Sequence, residues 1–349
     1  MKRLAALIAA VVLLSACAGE PPQVVTIPEV QPPAAPYPPE DRAATEIVFA
    51  ISRDASDILV SAAKYFAEEL GVRTNGAITV RVEPAIAPDA DLLAGRAQIA
   101  LLNKRRQLAF CEPLSATATS FLYNSYQNFL MRANAANTMN IVGFSLRENH
   151  GLVPLGAFYQ GALHLLIDFS PGGYHHFEGV SVITAEDAGT RASFERLIGP
   201  DGRIIYHDTD WERLERFIHG EGNAVEVSIG ALKENLESLP YSVHLIASYH
   251  NLVPVWLVAD AAFMDELSPR ARAEIAELQA YMANMINDAY RELDNQFFGR
   301  LSAVQDIPVV FEFTNVRNWV FHTLPLPGSE ASDQQRLAID LIQIMRRTA

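Results

Sequence analysis

From residue 45 onward the sequence alternates short β-rich apolar runs with amphipathic helical stretches, and this alternation restricts the fold more than any other feature. Glu46-Ile47-Val48-Phe49-Ala50-Ile51 fits a buried strand. A helix over residues 56–72 follows, with Leu59, Ala62, Ala63, Phe66 and Leu70 on one face, and Asn75-Gly76 breaks it. Residues 77–82 supply a second strand, 89–95 a short helix and 98–102 a third strand. Farther on, the pattern predicts strands at 152–158, 162–168, 180–183, 203–206 and 224–228, and helices at 188–197 and 210–219. The polar run His207-Asp208-Thr209-Asp210 reads as a loop whose Asp or Thr caps the next helix. Such strand–helix repetition predicts an α/β fold with parallel strands covered by helices.

One helix stands apart. Ser268-Pro269 sets an N-cap residue before a proline at the first helical position. An apolar stripe through Ile275, Leu278, Met282, Met285, Ile286, Ala289, Leu293 and Phe297 then continues to Gly299. About 30 residues at ~1.5 Å each give a helix near 45 Å, longer than one small lobe. It is expected to run across two.

Ahead of the folded part lies an address. Residues 1–17 read MKRLAALIAAVVLLSAC, a positive start and then eleven apolar residues, too few to span a bilayer. Leu14-Ser15-Ala16-Cys17 resembles the bacterial lipobox, which implies lipidation of Cys17 and attachment to a membrane. Ala18 after the cysteine, where an Asp would signal retention, favours the outer membrane on the periplasmic side. Residues 18–44 hold eight of the twenty prolines and read as a semi-rigid tether.

Composition excludes several functions. The net charge of −14, with no basic run long enough to offset it, argues against nucleic acid as a partner. Two cysteines, Cys17 and Cys111, make neither a disulfide framework nor a thiolate metal site, and Cys111 reads as a small buried apolar residue. His175, His176 and Glu178 adjoin one another, but neighbours on an extended chain point to opposite faces, so no metal site is expected. Nucleotide loops, metalloprotease helices and nucleophile elbows are absent from the sequence; no cofactor and no enzymatic activity are expected.

Residues 49–84, FAISRDASDILVSAAKYFAEELGVRTNGAITVRVEP, resemble the opening of TRAP-type transporter solute-binding proteins of the DctP type. Leu92-Leu93-Ala94-Gly95, Gly151-Leu152, Phe177-Glu178-Gly179, Val255-Trp256-Leu257-Val258-Ala259-Asp260 and FMDELSP at 263–269 follow in the family's order, out to about residue 345. The resemblance implies a two-lobed α/β clamp, like a type II periplasmic-binding protein, with a long lobe-spanning helix. One lobe is expected to comprise about 45–150 and 237–270, the other about 151–236 and 271–345. It also implies capture of a small molecule for the membrane subunits of a TRAP permease.

The departures concern the ligand. The family grips a carboxylate with arginines on two strands of the second lobe, because a guanidinium meets it bidentately. Those positions align with Leu163 and Ile183, and the family's Asn on a later strand aligns with Ser228. The expected ligand is therefore not a simple carboxylate, unless Arg191 or Arg53 compensates. Ser52, Asn103, Tyr159, Ser228 and Trp256 complete the expected cleft, although Trp256 in an apolar run fits the core equally well. The reading that results is a lipid-anchored solute-binding protein for a neutral or mostly apolar molecule; the alternative is a ligand-free envelope adaptor or sensor on the same fold.

Overall fold

The computed structural model describes residues 45–103, 105–120, 122–123, 125–170, 177–186, 188–240, 242–304, 309–310 and 333–347. The expected signal, Cys17 and the proline-rich tether lie outside the described residues, as do His175 and His176.

In chain order the elements are β1 Thr45–Ser52, α1 Asp57–Arg73, β2 Ile78–Ala85, α2 Pro88–Leu93, β3 Ile99–Leu102, α3 Arg105–Leu108, α4 Glu112–Ala116, α5 Tyr126–Ala133 and α6 Ala136–His150. Then follow β4 Leu152–Ile167, β5 Ser181–Thr184, α7 Ala188–Ile198, β6 Arg203–Tyr206, α8 Asp210–Ile218, β7 Ala224–Ser228, α9 Ile229–Asn235 and β8 His244–Asp260. The chain ends with α10 Ala261–Glu266, α11 Pro269–Val304, β9 Val309–Val310 and α12 Asp333–Arg347. Among the described residues the strands form one nine-stranded sheet in the order β2-β1-β3-β8-β4-β7-β5-β6, with β9 on β8. As the alternation predicts, β1 is parallel to β2 and β3, and β5 to β6 and β7.

The two lobes share a spine. β4 and β8 run antiparallel for 16 and 17 residues, so the two strands expected at 152–158 and 162–168 are one strand with a register shift between Tyr159 and Ala162. Gly161 sits in that shift at φ +97°, a conformation glycine adopts without strain. The predicted break is a bulge rather than a turn, which leaves the chain extended through it.

Burial separates the lobes. A large cluster unites β1, β3, α1 and α6 with the far half of β8, around Phe49, Phe66, Leu101, Leu146 and Trp256. The second half of the sheet carries a smaller cluster on each face. One holds Leu165, Val182, Ala224, Phe194 and Leu197; the other holds Leu166, Ile183, Val225, Leu214 and Phe217. β4, β8 and α11 serve both lobes. Relative to the expected ranges, the first core also takes in Leu152, Ala157 and Tyr159 of β4, Ala271 to Tyr290 of α11, and Leu341 and Met345 of α12.

α11 is 36 residues long, ~54 Å at 1.5 Å per residue. The Ser268 hydroxyl accepts from the Ala271 amide at 3.2 Å, as the Ser-Pro start predicts. Ile275, Leu278, Met282 and Ile286 pack into the first core, Phe297 and Leu301 into the second. The helix thus crosses between lobes. α8 starts with a capping box: the Thr209 hydroxyl accepts from the Glu212 amide while the Glu212 side chain reaches back to the Thr209 amide. Among the described residues, no helix is long and apolar enough to cross a membrane.

Candidate functional site

The strand ends of the first lobe bring Ser52 and Asn103 together. The Ser52 hydroxyl donates to the Asp54 carboxylate at 2.5 Å and accepts from Gln107 Nε2 at 3.4 Å. Gln107 Oε1 in turn accepts the Asn103 amide proton at 2.8 Å, so one side chain of α3 ties two strand ends. The sequence reading missed Gln107, because a glutamine four residues past a strand carries no local signal of its role. Asn103 Oδ1 is buried with no partner.

At the crossing between lobes, Tyr159 points to α11 and not to open space. Its hydroxyl donates to Asp294 at 2.5 Å, and its backbone N–H donates to Asn287 Oδ1 at 2.7 Å. Burial pushes the Asp294 carboxyl up to about 6, against which the Tyr159 hydrogen bond pulls weakly. One turn away the Tyr290 hydroxyl meets the Ser56 hydroxyl at 2.5 Å, so α11 is stitched to the start of α1.

In the second lobe the expected ligand positions take structural work. Leu163 is buried, opposite Ser228 on one side and Asn251 on the other. Ser228 caps α9, accepting from the Ala231 amide at 3.3 Å. Ile183 is fully buried in the cluster with Leu214, Phe217 and Val225, so it is a core residue. Trp256 is likewise fully buried and donates from Nε1 to the Thr117 hydroxyl at 2.9 Å. Arg191 is exposed and pairs with Glu195 at 2.8 Å; Arg53 is exposed.

What the structure assembles instead is a buried polar group that sequence reasoning did not find. Between the pairs Leu163–Asn251 and Leu165–Ile246, β4 advances by His164 alone while β8 spends residues 247–250. This bulge, with Tyr249 at φ +45°, turns His250 onto β7. His250 Nε2 lies 3.1 Å from Glu226 Oε1, and the Thr184 hydroxyl donates to Glu226 Oε2 at 2.8 Å. The Ser248 hydroxyl lies 2.6 Å from His250 Nδ1. Both ring nitrogens of His250 are thus engaged, one by Glu226 and the other by Ser248. Ser248 is only 3% exposed, and its partner is two residues on in the same bulge, so the chain orders the bulge and ties it to β7 and β5. One residue on, Asn251 Nδ2 donates to the Ser120 hydroxyl at 3.3 Å, and Ser120 lies 3.1 Å from the Thr190 hydroxyl of α7. Ser120 belongs to the first lobe and Thr190 to the second, so this contact joins them.

On the other face, His164 is fully buried against Tyr249 and Phe298, with neither ring nitrogen partnered. Burial, helped by nearby His250, lowers it to about 3, so the ring is neutral. The buried arginines among the described residues are Arg132 and Arg213. Arg213 donates to the carbonyls of His207, Asp208 and Glu226. Arg132 donates from Nη1 to the Met345 carbonyl near the end of α12, while its Nη2 is unpartnered. Cys111 is buried beside Ser145, and burial raises its thiol, as expected of a packing residue. No group of three metal-ligating side chains occurs among the described residues. A surface hollow of about 500 Å³ lined by Glu195, Arg196, Gly199, Pro200 and Gly202 lies at the end of α7 opposite Thr190, away from the strand ends.

No protein-family model matches the chain, and no curated protein sequence does. Solved structures match closely in shape. A TRAP periplasmic solute-binding protein from Ochrobactrum anthropi superposes with a TM-score of 0.71 at 17% identity, covering 87% of this chain and 96% of that one. Another from Escherichia fergusonii, in an apo open state, gives 0.73 at 14% identity over 87% and 99%. A third from Roseobacter denitrificans, with bound β-D-glucuronate, gives 0.67 at 16% identity over 86% and 99%. The chain therefore has a two-lobed periplasmic-binding-protein fold. More narrowly, it has the arrangement of that fold found in TRAP solute-binding proteins.

Proposed function

We propose that the chain is an extracytoplasmic solute-binding protein of a TRAP-type uptake system, acting by binding without chemistry. Agreement in shape over 86–87% of this chain and 96–99% of three TRAP solute-binding proteins carries this reading. The polar strand ends at Ser52 and Asn103, together with the Asn251–Ser120–Thr190 bridge, support a ligand held between the lobes. Lipid attachment at Cys17 would keep the clamp at a membrane facing the periplasm, with TRAP permease subunits as its partner. On this reading the ligand is held without the family's two-arginine grip, because the family resemblance aligns Leu163 and Ile183 with those positions.

A thermal-shift screen of organic acids, sugars and lipid-like compounds tests the reading. A true ligand present at 100 times its Kd adds about 2.7 kcal/mol and raises the melting temperature. A screen in which every compound leaves it unchanged sinks the proposal. It would favour the second reading, a ligand-free adaptor or sensor, which draws support from Ser228 serving as a helix cap and Ile183 as core. Lipidation has its own test: Cys17→Ser should move the protein from the membrane fraction to the soluble one.

A further inference from the structure

Resting on the reading of the interlobe region as a binding cleft, we infer that its ligand is a neutral, hydroxyl-rich molecule whose O–H groups are taken by the side-chain carbonyls of Asn103 and Asn251. Both oxygens are buried without a partner, in residues 6% and 1% exposed. Buried polar groups are almost always paired, so an orphan at a functional cleft marks where a ligand atom belongs. Both residues are anchored. Asn103 is held through its backbone N–H on Gln107 at 2.8 Å, and the Asn251 amide nitrogen is already spent on Ser120 at 3.3 Å. The oxygens are what remains.

Their placement fits one occupant. Asn103 follows β3, whose last residue Leu102 pairs with Trp256 of β8. Asn251 lies five residues back along the same strand, opposite Leu163 and between the register shifts at Tyr159/Ala162 and Leu163/Leu165. The two acceptors thus border one stretch of β8, at most ~16 Å of extended chain, with Asn251 at the edge of the first core beside Leu252. Asn251 is itself bridged through Ser120 to Thr190.

The chemistry follows from what these atoms lack. Each is an acceptor, and an ionised carboxylate offers no proton to an acceptor. The positions that the family resemblance aligns with guanidinium forks hold the apolar, buried Leu163 and Ile183. A polyol or neutral sugar brings donors to both oxygens and demands no cation.

Matched pairs test this directly: D-glucose against D-glucuronate and D-galactose against D-galacturonate, with D-mannitol and glycerol added, by thermal shift and calorimetry on the whole chain. The neutral member of a pair, or a polyol, is expected to raise the melting temperature while the acid does not. Asn103→Ala should weaken that binding at least tenfold, read by calorimetry on protein whose ligand-free melting curve shows it folded. Asn251→Ser, which keeps a donor for Ser120, should weaken binding similarly. Preference for the uronate overturns this inference but leaves the binding protein standing. Unchanged affinity in Asn103→Ala also overturns it, since a trapped water would then explain the orphan. Silence from both members of every pair, with organic acids and lipid-like compounds also inert, removes the binding reading itself.

Discussion

The two lobes are built on one sheet, yet they are held together differently. The first packs a single large apolar cluster, with edge-on aromatic pairs such as Phe49 on Phe66 at 5.6 Å between centroids. The second divides its apolar residues between the two faces of the sheet and threads a buried polar group through the middle, Thr184–Glu226–His250–Ser248. Apolar burial is indifferent to direction and to pH; hydrogen-bonded networks are neither. The first lobe is thus a stable platform, and the second is the part whose shape depends on protonation and on single polar atoms. A clamp needs both: one side to hold position and one side whose groups can be changed to fit a different ligand.

The contrast can be broken most forcefully in the first lobe. Phe66→Ala should cost about 3–5 kcal/mol by denaturant unfolding, the usual penalty for emptying a large aromatic site in a packed core. A loss below about 1 kcal/mol would mean that the large cluster is not the platform claimed here.

Acid should expose the second lobe. His164 is lowered from 6.5 to about 3, so as pH falls below about 6.5 the unfolded chain takes a proton that the native ring refuses. Stability falls by on the order of 3 kcal/mol by pH 4 from this group alone. Asp294 has the opposite sign: raised from 3.8 to about 6, it contributes stability that is lost as pH rises through that interval, about 3 kcal/mol. The two largely cancel in the native protein. Melting curves at several pH values should show His164→Phe gaining acid resistance and Asp294→Asn losing it. Parallel curves for all three proteins would contradict the assignment.

Smaller effects sharpen the picture. Glu226→Gln should cost about 2 kcal/mol, the scale of a hydrogen bond to a charged group, and should leave the first lobe's amide exchange protection unchanged. Thr209→Ala, which removes half of a capping box, should cost about 1 kcal/mol and fray only the start of α8. A global loss of protection in either variant would show that the lobes do not differ as described.

Much of the fold was legible because hydrophobic periodicity is local. The strand at 203–206, the strand at 224–228, the cap at Thr209 and the long helix from Ser268 could each be read from a dozen residues. The cleft was harder. Alignment placed an arginine position at Ile183, but along β5 successive side chains alternate faces: Val182 joins one core, Ile183 the other, and Thr184 reaches Glu226. A shift of one residue flips the side, so a pattern match cannot fix which residue of a short strand faces a ligand. The first half of β8 was missed because Ser248, His250 and Asn251 interrupt its apolar run, and the four residues of its bulge break the period of two.

What the sequence determined by itself was the set of elements and their order, since each is specified by spacing and caps within its own length. Only the tertiary structure decided that Glu226 would meet a histidine 24 residues on and a threonine 42 residues back, and that Asn103 and Asn251 would border the same strand. Such meetings depend on strand register and on one bulge, which the energy of the whole sheet selects and no local pattern encodes.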